Sequence, residues 1–282
     1  MNRPRIGVTG AEGVLGRSVR EHWPEAEWLP YGGDVRDAEA VQRWVDSSGG
    51  LDAVLHLAAI VPVDEVKRDP GGAFDVNIRG TWNVMESLRE RSPWIFIASS
   101  SHVYGAGPLP IAEDSRLAPT SVYGLTKMLA EQTALGYATL TGARVCAGRI
   151  FSFSAPAQAE TYLLPSLALR IRSAERNGRL SVDGGANVRD FLATERIVSA
   201  IRILYRHNAT GVFNIGSGVG ISVLDVAKRL ALRMGRDDLE VVTSHVEGGA
   251  LVADASRLRA LGWSAEGALD ELLAAMAGEV AP

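Results

Sequence analysis

The chain has 282 residues, of which 46% are hydrophobic and 22% are charged, and its net charge is −4. That length allows one large domain or a main domain with a smaller lobe. The charge provides no broad basic field for nucleic acid or an anionic membrane. The single cysteine, Cys146, excludes an internal disulfide framework and a cysteine-based zinc site, and we predict no metal. No long apolar run follows the charged N-terminal residues, so we expect a cytoplasmic protein without a signal peptide or membrane span.

The first motif is a glycine-rich turn. A short apolar strand, residues 5–9, runs into three glycines spaced three apart, Gly10, Gly13 and Gly16, and then into a helix. Glycines permit a tight turn and close backbone approach, and a helix N-terminus offers amide donors and a positive dipole to a pyrophosphate. This context favours a dinucleotide-binding turn over a plain strand-to-helix loop.

The second predicted strand, residues 27–30, bears on which dinucleotide binds. A nicotinamide site selective for the unphosphorylated ribose usually has an acid at the end of this strand. Here the strand is followed by Tyr31, and the first carboxylate beyond it is Asp34. Its distance from Gly16 fits a ribose ligand, whereas its local setting fits an adenine contact. The sequence therefore leaves NAD and NADP open, with a slight preference for NAD.

Two further buried strands end where a ligand could bind. Residues 52–59 run into small residues, which let a cofactor lie against the backbone, and we interpret His56 there as a hydrogen-bonded structural histidine in preference to a catalytic one. Residues 94–98 lead into three serines, the second of them Ser100, followed by His102. Ligands bind at the carboxyl ends of strands in open α/β sheets. We therefore predict that this serine loop contacts a ligand.

Tyr123 and Lys127 lie four residues apart on a predicted helix, which places both on one face. An ammonium near a phenol stabilises the phenolate, so we predict that Lys127 lowers the pKa of Tyr123 from about 10 toward working pH. A phenol tuned in this way can pass a proton to or from a carbinol or carbonyl oxygen. Because a chance pair on an amphipathic helix is the alternative, this interpretation depends on the glycine turn and the serine loop around it.

The alternation of strands and helices predicts an α/β fold with a doubly wound parallel sheet and a smaller C-terminal substrate lobe. We assign residues 1–150 and 186–216 to a dinucleotide-binding domain, and residues 151–185 and 217–282 to the lobe. The remaining predicted elements are a long helix over 73–91, a strand over 144–150, a loop over 152–157, a helix over 162–176, a strand and turn over 180–185, a segment over 188–192 leading into a helix, a strand over 212–216 and a helix over 222–234 capped by Ser222.

These motifs, in this order, resemble the extended short-chain dehydrogenase/reductases, the NAD-dependent epimerase/dehydratase family, whose dinucleotide domain is a Rossmann fold. The resemblance runs almost from end to end. The residues that carry it are Gly10, Gly13 and Gly16, Asp34-Val35, His56-Leu57-Ala58-Ala59, Asn77, Ser99-Ser100-Ser101, Val103-Tyr104-Gly105, Tyr123 with Lys127, Arg149-Ile150-Phe151, Arg189-Asp190-Phe191, Asn214-Ile215-Gly216 and Leu261-Gly262-Trp263.

The resemblance implies a role for each matching position. Tyr123 would be the acid/base, Lys127 would bind the nicotinamide ribose, and Ser100 would hold the reacting oxygen. Cofactor contacts would come from Gly10, Gly13, Val14, Leu15, Gly16, Asp34, Val35, Leu57, Ala58, Ala59, Asn77, Ala98 and Ile150, together with Tyr123 and Lys127. Substrate contacts would come from Ser100, Ser101, His102, Ser152 and Arg189. The resemblance also implies a homodimer formed through the helices around residues 73–91 and 121–141.

Some positions depart from the family pattern and narrow the function. Ser101 and His102 stand where the 4,6-dehydratases carry an Asp-Glu pair, so we predict no dehydration. Ser152 replaces a common Asn near the pyrophosphate, and residues 244–249 lack a second phosphate arginine. For Arg189 itself, a phosphate contact, a salt bridge to Asp190 and a surface position stay open.

The function that we expect is that of an NAD- or NADP-dependent epimerase or reductase acting at C4 of a nucleotide sugar. The serine loop resembles the 4-epimerases, whereas residues 58–77 and the short second strand resemble the 4-keto-6-deoxysugar reductases. A dehydrogenase of a free sugar acid or polyol is the alternative, because phosphate ligands are missing. A non-catalytic dinucleotide-binding sensor is a third interpretation.

Overall fold

Apolar runs and amphipathic segments alternate along the first half of the chain, and they form the strands and helices that their spacing predicts. The computed structural model describes residues 3–61, 63–243 and 248–279. The strands are β1 Arg5–Thr9, β2 Glu27–Tyr31, β3 Ala53–His56, β4 Trp94–Ser100, β5 Arg144–Ile150, β6 Ser152–Ser154, β7 Arg179–Ser181, β8 Val188–Arg189, β9 Phe191–Ala193, β10 Gly211–Ile215, β11 Ile221–Ser222, β12 Glu240–Val242 and β13 Ala250–Leu251. The helices are α1 Val14–His22, α2 Ala38–Ser47, α3 Val63–Arg68, α4 Pro70–Phe74, α5 Gly80–Ser87, α6 Val122–Thr141, α7 Leu163–Ser173, α8 Thr194–Arg206, α9 Val223–Arg233, α10 Ser256–Arg259 and α11 Ala268–Ala277.

Six strands form one parallel sheet in the order β10-β5-β4-β3-β1-β2. The chain moves outward from β1 to β2, and then from β3 through β4 and β5 in the opposite direction. The strand order therefore reverses between β1 and β3, and a crevice opens at their carboxyl ends. This arrangement confirms the predicted doubly wound α/β fold.

Alternate residues of the central strands face two helical layers. Leu55 of β3 belongs to an apolar cluster that includes Val19 of α1 and Ile201 of α8. Its neighbour Val54 belongs to a second cluster on the other face, with Val84 of α5 among its members. The sheet is thus covered on both sides, which is why its central strands read as continuous apolar runs.

A further apolar cluster forms the core of the predicted lobe. It joins α7, α9 and α11 through side chains such as Leu167, Leu230 and Leu272, all of which are buried. Phe191 and Ala193 of β9 also belong to it, although they lie in a segment that we assigned to the dinucleotide domain. Ser222 accepts a hydrogen bond from the Asp225 amide and caps α9, as predicted. None of the helices formed by the described residues is both long enough and apolar enough to cross a bilayer.

Two predicted elements differ from the structure. The helix predicted over 73–91 begins at Pro70, contains a π-helical segment, Asp75–Arg79, and ends at Ser87. The loop predicted over 152–157 begins instead with strand β6, which pairs with β9. A three-residue strand has no readable periodicity, and this one forms because a partner almost forty residues away lies beside it. Six further elements, α3, β11, β12, β13, α10 and α11, were not predicted.

Candidate active site

The carboxyl ends of the central strands open into one cavity of about 1420 Å³. It extends from the glycine turn, past the serine loop and α6, to the segment that follows β5. All but one of the predicted site residues line it: Gly10, Gly13, Val14, Leu15, Gly16, Asp34, Val35, Leu57, Ala58, Ala59, Ala98, Ser100, Ser101, His102, Tyr123, Lys127, Ile150, Ser152 and Arg189. The exception is Asn77. The fold thus brings the predicted cofactor and substrate positions together in a single space.

The glycine turn is too tight for side chains at two of its positions. Gly10 has a φ of 70°, and a Cβ there would lie 2.7 Å from the amide nitrogen of Ala58. At Gly16 a Cβ would lie 2.2 Å from the Gly10 carbonyl oxygen. Gly13 is the N-cap of α1 and supplies no side-chain cap. The first backbone amides of α1 therefore have no side-chain partner at the glycine turn. Together with the positive end of the helix dipole, they favour binding of an anion there.

The loop after β2 presents a carboxylate that is already paired. Asp34 lines the cavity, and its carboxylate accepts hydrogen bonds from Nε and Nη2 of Arg36 at 2.9 and 2.6 Å. Hydrogen bonding from Arg36 lowers the pKa of Asp34. Asn83 donates to the Val35 carbonyl oxygen at 2.9 Å and holds this loop against α5. The negative charge at this end of the cavity is therefore largely compensated, and no other described acid stands at the end of β2.

Tyr123 and Lys127 are both buried, with 9% and 7% of their surfaces exposed. Burial raises the pKa of Tyr123, while the Ser100 hydroxyl opposes this change by hydrogen bonding. Burial also lowers the pKa of Lys127 to about 8, against the opposing effect of Glu131. The prediction that Lys127 lowers the pKa of Tyr123 is wrong for this structure. Loss of hydration around the phenolate outweighs the hydrogen bond from Ser100, so the phenol is the resting form.

His102 packs beside the phenol, its ring centroid 5.6 Å from that of Tyr123. Burial lowers the pKa of His102, and the positive charge of Arg189 lowers it further. The Ser100 hydroxyl accepts a hydrogen bond from the His102 amide at 3.2 Å and caps the short 3₁₀ turn Ser101–Val103. The serine loop therefore presents hydroxyls and a neutral imidazole, with no carboxylate among Ser100, Ser101 and His102.

Arg189 is half-buried and lines the cavity, so it is not a surface residue. Its guanidinium donates to the carbonyl oxygens of Val188 and Gly249 at 2.9 and 2.8 Å. Asp190 accepts instead from the backbone amides of Ser217, Gly218 and Ala253, which excludes the salt bridge between the two neighbours. Burial lowers the pKa of Arg189. The second phosphate arginine is predicted to be missing from residues 244–249. Of these, residues 244–247 lie outside the described residues.

Asn77 does not reach the cavity. It is 1% exposed, and its side-chain oxygen accepts from the Ile60 amide at 2.8 Å, while its nitrogen donates to the Thr126 hydroxyl at 2.9 Å. Thr126 in turn donates to the Tyr123 carbonyl oxygen at 2.9 Å. Asn77 thus ties the π-helical segment to the loop after β3 and to the start of α6.

His56 belongs to a related chain of buried hydrogen bonds. Its Nδ1 lies 2.8 Å from the Thr9 hydroxyl, and its Nε2 lies 3.0 Å from the Thr81 hydroxyl. Burial lowers the pKa of His56 to about 3, with a smaller contribution from the charge of Lys127. A histidine held neutral between two hydroxyls supports the structural interpretation over a catalytic one.

Two features of the site were missed from the sequence. Gln158 is 7% exposed and lines the cavity, and its side-chain oxygen accepts from the Ser154 hydroxyl and the Ala155 amide at 2.8 and 3.3 Å. Glu131 and Arg149 form a buried ion pair behind the site, at 2.6 Å. The spacing of Glu131, four residues after Lys127, was the available signal for the second feature.

Comparison with known proteins gives consistent matches along most of the chain. The model of the NAD dependent epimerase/dehydratase family matches residues 6–216. GDP-6-deoxy-D-mannose reductase of Pseudomonas aeruginosa is 30% identical over 254 residues, which cover 84% of this chain and 82% of that protein. UDP-glucose 4-epimerase of Lactobacillus helveticus is also 30% identical, over 270 residues that cover 85% and 79% of the two chains. The solved structure of RMD from Pseudomonas aeruginosa complexed with NADPH superimposes with a TM-score of 0.88 over 98% of each chain, at 28% identity.

Proposed function

This chain belongs to the NAD dependent epimerase/dehydratase family, and we propose that it is an NAD(P)-dependent epimerase or reductase acting at C4 of a nucleotide sugar. One observation carries the proposal: a single cavity joins the glycine turn to Ser100 and Tyr123. The names of the two curated relatives, a GDP-sugar reductase and a UDP-sugar epimerase, support a nucleotide-linked substrate. The NADPH in the structure of RMD supports a nicotinamide cofactor.

The residues present fit such a cofactor. The N-terminus of α1, which no side chain caps, would receive its pyrophosphate. Asp34 and Val35 would lie at the adenine, and Lys127 at the nicotinamide ribose. When bound, the nicotinamide supplies or accepts the hydride. Because Asp34 is already paired with Arg36, we keep both NAD and NADP as candidates.

Tyr123 moves the proton in this proposal. In the reductive direction, its phenol gives a proton to the C4 oxygen as hydride reaches C4, and a ketone becomes a carbinol. In the oxidative direction, the phenolate of Tyr123 takes the hydroxyl proton as hydride leaves, and the phenol forms again. Ser100 donates a hydrogen bond to the same oxygen. Since burial raises the pKa of Tyr123, the resting phenol is ready for the reductive step.

Elimination of water is not part of the proposal. An elimination needs a base and an acid at neighbouring carbons, and the serine loop offers Ser101 and His102 at the cavity wall. Ser101 is not an acid at working pH. Burial keeps the imidazole of His102 neutral rather than cationic. The loop therefore suits orientation of a sugar rather than dehydration.

Arg189 supports a phosphate contact, and it also keeps a second candidate function open. Its guanidinium lines the substrate half of the cavity, and no described carboxylate pairs with it there. It would receive one phosphate of the nucleotide. The other Lys and Arg residues among the described residues that line the cavity are Arg17 of α1 and Lys127 beside Tyr123. One guanidinium equally matches a single carboxylate. A dehydrogenase of a free sugar acid is therefore the alternative.

We further propose that the protein is a homodimer. Large apolar side chains are exposed on the helices expected at the interface, with Trp82 at 46%, Val122 at 37% and Leu140 at 85%. Trp82 packs edge-on against Tyr137 of α6, which links the two helices. Sedimentation equilibrium of the full chain tests this state, and a monomer at micromolar concentration would count against it.

The decisive experiment compares Tyr123→Phe with the parent chain. GDP-, UDP- and dTDP-linked 4-keto-6-deoxyhexoses and hexoses, and free uronates, are tested with NAD(H) and NADP(H). We expect turnover of one nucleotide sugar and a loss of at least about 100-fold in Tyr123→Phe, with cofactor still bound by the variant. Tyr205→Phe, whose hydroxyl lies away from the cavity, is the matched control.

Three outcomes of this comparison would redirect the assignment. Turnover of uronates alone would favour the alternative, and unchanged turnover in Tyr123→Phe would refute the mechanism. Cofactor that stays bound through purification would favour the epimerase over the reductase.

A further inference from the structure

A row of buried polar side chains crosses the sheet directly behind the candidate site. Ser99 of β4, Arg149 of β5 and Asn214 of β10 are neighbours in register. They are 4%, 3% and 0% exposed. Glu131 of α6, at 0%, lies against this row and accepts hydrogen bonds from the Ser99 hydroxyl and from Nη2 of Arg149, both at 2.6 Å. One carboxylate therefore holds the helix to two adjacent strands.

The rest of the row is also fully partnered. The second terminal nitrogen of Arg149, Nη1, donates to the Tyr104 hydroxyl and to the Glu113 carbonyl oxygen, both at 2.7 Å. Tyr104 donates onward to the side-chain oxygen of Asn214 at 2.7 Å. A buried ion pair is weak evidence for stability, because desolvation of both charges offsets their attraction. The elaborate pairing around Glu131 therefore calls for a role other than stabilisation.

That role follows from the position of Glu131 on α6. Tyr123, Lys127 and Glu131 stand at successive intervals of four residues, and all three side chains are buried. Lys127 lines the cavity, and no hydrogen bond or ion pair joins it to another described residue. The group that favours its charged form is Glu131, and burial opposes that form.

The other groups around Lys127 do not supply a negative charge. On β3, His56 is held neutral by burial. On β5, Arg149 is cationic and pairs with Glu131. In the π-helical segment, Asp75 pairs with Arg79 at 3.4 Å. On α3, the charged side chains whose exposure is described are all exposed: Glu65, Lys67 and Arg68.

We propose that Glu131 is a positioning residue, whose carboxylate fixes α6 against the end of β4 and supplies the negative charge that keeps Lys127 in its ammonium form. Through Ser99 the same carboxylate sets where the adjacent Ser100 stands relative to Tyr123. The consequence for catalysis rests on the proposed function, whereas the consequence for the charge of Lys127 does not.

The composition of the chain allows the charge of Lys127 to be measured directly. Lysine occurs only three times, at Lys67, Lys127 and Lys228. Protein labelled with ¹³C at the lysine ε-carbon will show three signals, and the one that disappears in Lys127→Arg is that of Lys127. Its titration is followed by NMR in the full chain and in Glu131→Gln. We expect a midpoint near pH 8 in the parent chain and a midpoint lower by about one pH unit or more in the variant.

Two further variants separate charge from packing. Glu131→Asp retains the charge and should leave the midpoint near that of the parent chain. If Glu131→Gln fails to fold because Arg149 is left unpaired, the double variant Glu131→Gln with Arg149→Gln removes both charges, and the lower midpoint is expected there. An unchanged midpoint in the folded single or double variant overturns the proposal.

The catalytic consequence has its own readout. In Glu131→Gln, the pH at which the rate of hydride transfer falls on the alkaline side (the alkaline limb of the pH profile) should be lower than in the parent chain. This decrease should equal the decrease in the titration midpoint of Lys127. Ser99→Ala should instead lower kcat at an unchanged limb, because it removes the link to β4 and leaves the charge. A limb that stays in place while the midpoint moves would overturn the catalytic part. If no nucleotide sugar is turned over, the proposed function fails and the NMR titration still decides the charge.

Discussion

Replacing Lys127 with Met should make the protein more stable and inactive. Lys127 is 7% exposed, and burial lowers its pKa from the ordinary 10.5 to about 8. The unfolded chain therefore holds this proton more tightly than the folded chain does. One pKa unit corresponds to about 1.4 kcal/mol, so burial of the ammonium costs about 3 kcal/mol at pH 7. Met removes the charge, keeps a similar unbranched shape and leaves Glu131 paired with Arg149.

The pH dependence gives the sign of this effect. The penalty is fully present below pH 8 and is relieved as pH rises from about 8 toward 10.5, where the unfolded lysine also loses its proton. Urea unfolding at pH 7 should give Lys127→Met a free energy of unfolding about 3 kcal/mol above the parent chain, and the gap should narrow by pH 9.5. Lys228→Met, at an exposed position of α9, is the control and should show no gap. A variant less stable than the parent at pH 7, or a gap independent of pH, would refute this reasoning.

Two other predictions follow from the glycine turn and from His56. Gly16→Ala should weaken NAD(P) binding about 10- to 100-fold in a fluorescence titration, because its Cβ would lie 2.2 Å from the Gly10 carbonyl oxygen. Gly136→Ala is the control, because its Cβ would meet nothing within 4 Å. This control should bind the cofactor as the parent chain does and should raise the free energy of unfolding by about 0.5–1 kcal/mol. Equal affinities in the two variants would count against the steric argument. Because burial lowers the pKa of His56 to about 3, the unfolded chain alone takes up this proton below pH 6.5, and the free energy of unfolding should fall from there toward pH 3. In acid unfolding experiments the decline should be less steep in His56→Gln, and an identical slope would contradict a buried neutral histidine.

The sequence was sufficient for the sheet and for most of the residues that meet at its carboxyl edge, because both depend on local patterns. Continuous apolar runs such as residues 144–150 mark strands covered on both faces, and the glycine spacing marks a turn that larger side chains cannot form. Since the carboxyl ends of parallel strands meet at one edge, these patterns also predicted that the serine loop lies at the ligand-binding edge of the sheet. The prediction extended to the N-cap of α9 at Ser222.

What the sequence could not provide depends on partners distant along the chain. Strand β6 forms only because β9 lies beside it, and Asn77 leaves the cavity because Ile60 and Thr126 take up its amide. The pKa of Tyr123 was predicted in the wrong direction because spacing reports a neighbouring charge but not the loss of hydration.

Two further features of the site could not be read from the sequence: the partners of Arg189 and the pairing of Glu131 with Arg149. Arg189 followed by Asp190 is compatible with an ion pair, and the backbone amides that claim Asp190 become visible only in the fold. Glu131 and Arg149 likewise meet only when α6 packs on β5. This pairing depends on contact between two separate elements, which the sequence pattern does not report.

Transfer of deuterium tests the central claim most directly. NADH and NADPH labelled with deuterium at nicotinamide C4 are each incubated with the protein and GDP-, UDP- or dTDP-linked 4-keto-6-deoxyhexoses, and the products are analysed by mass spectrometry and NMR. We expect deuterium at C4 of one product sugar, and its absence when Tyr123→Phe replaces the parent chain. Unlabelled sugars throughout, in a protein that is freed of retained nicotinamide and binds the added labelled cofactor, would contradict hydride transfer at C4.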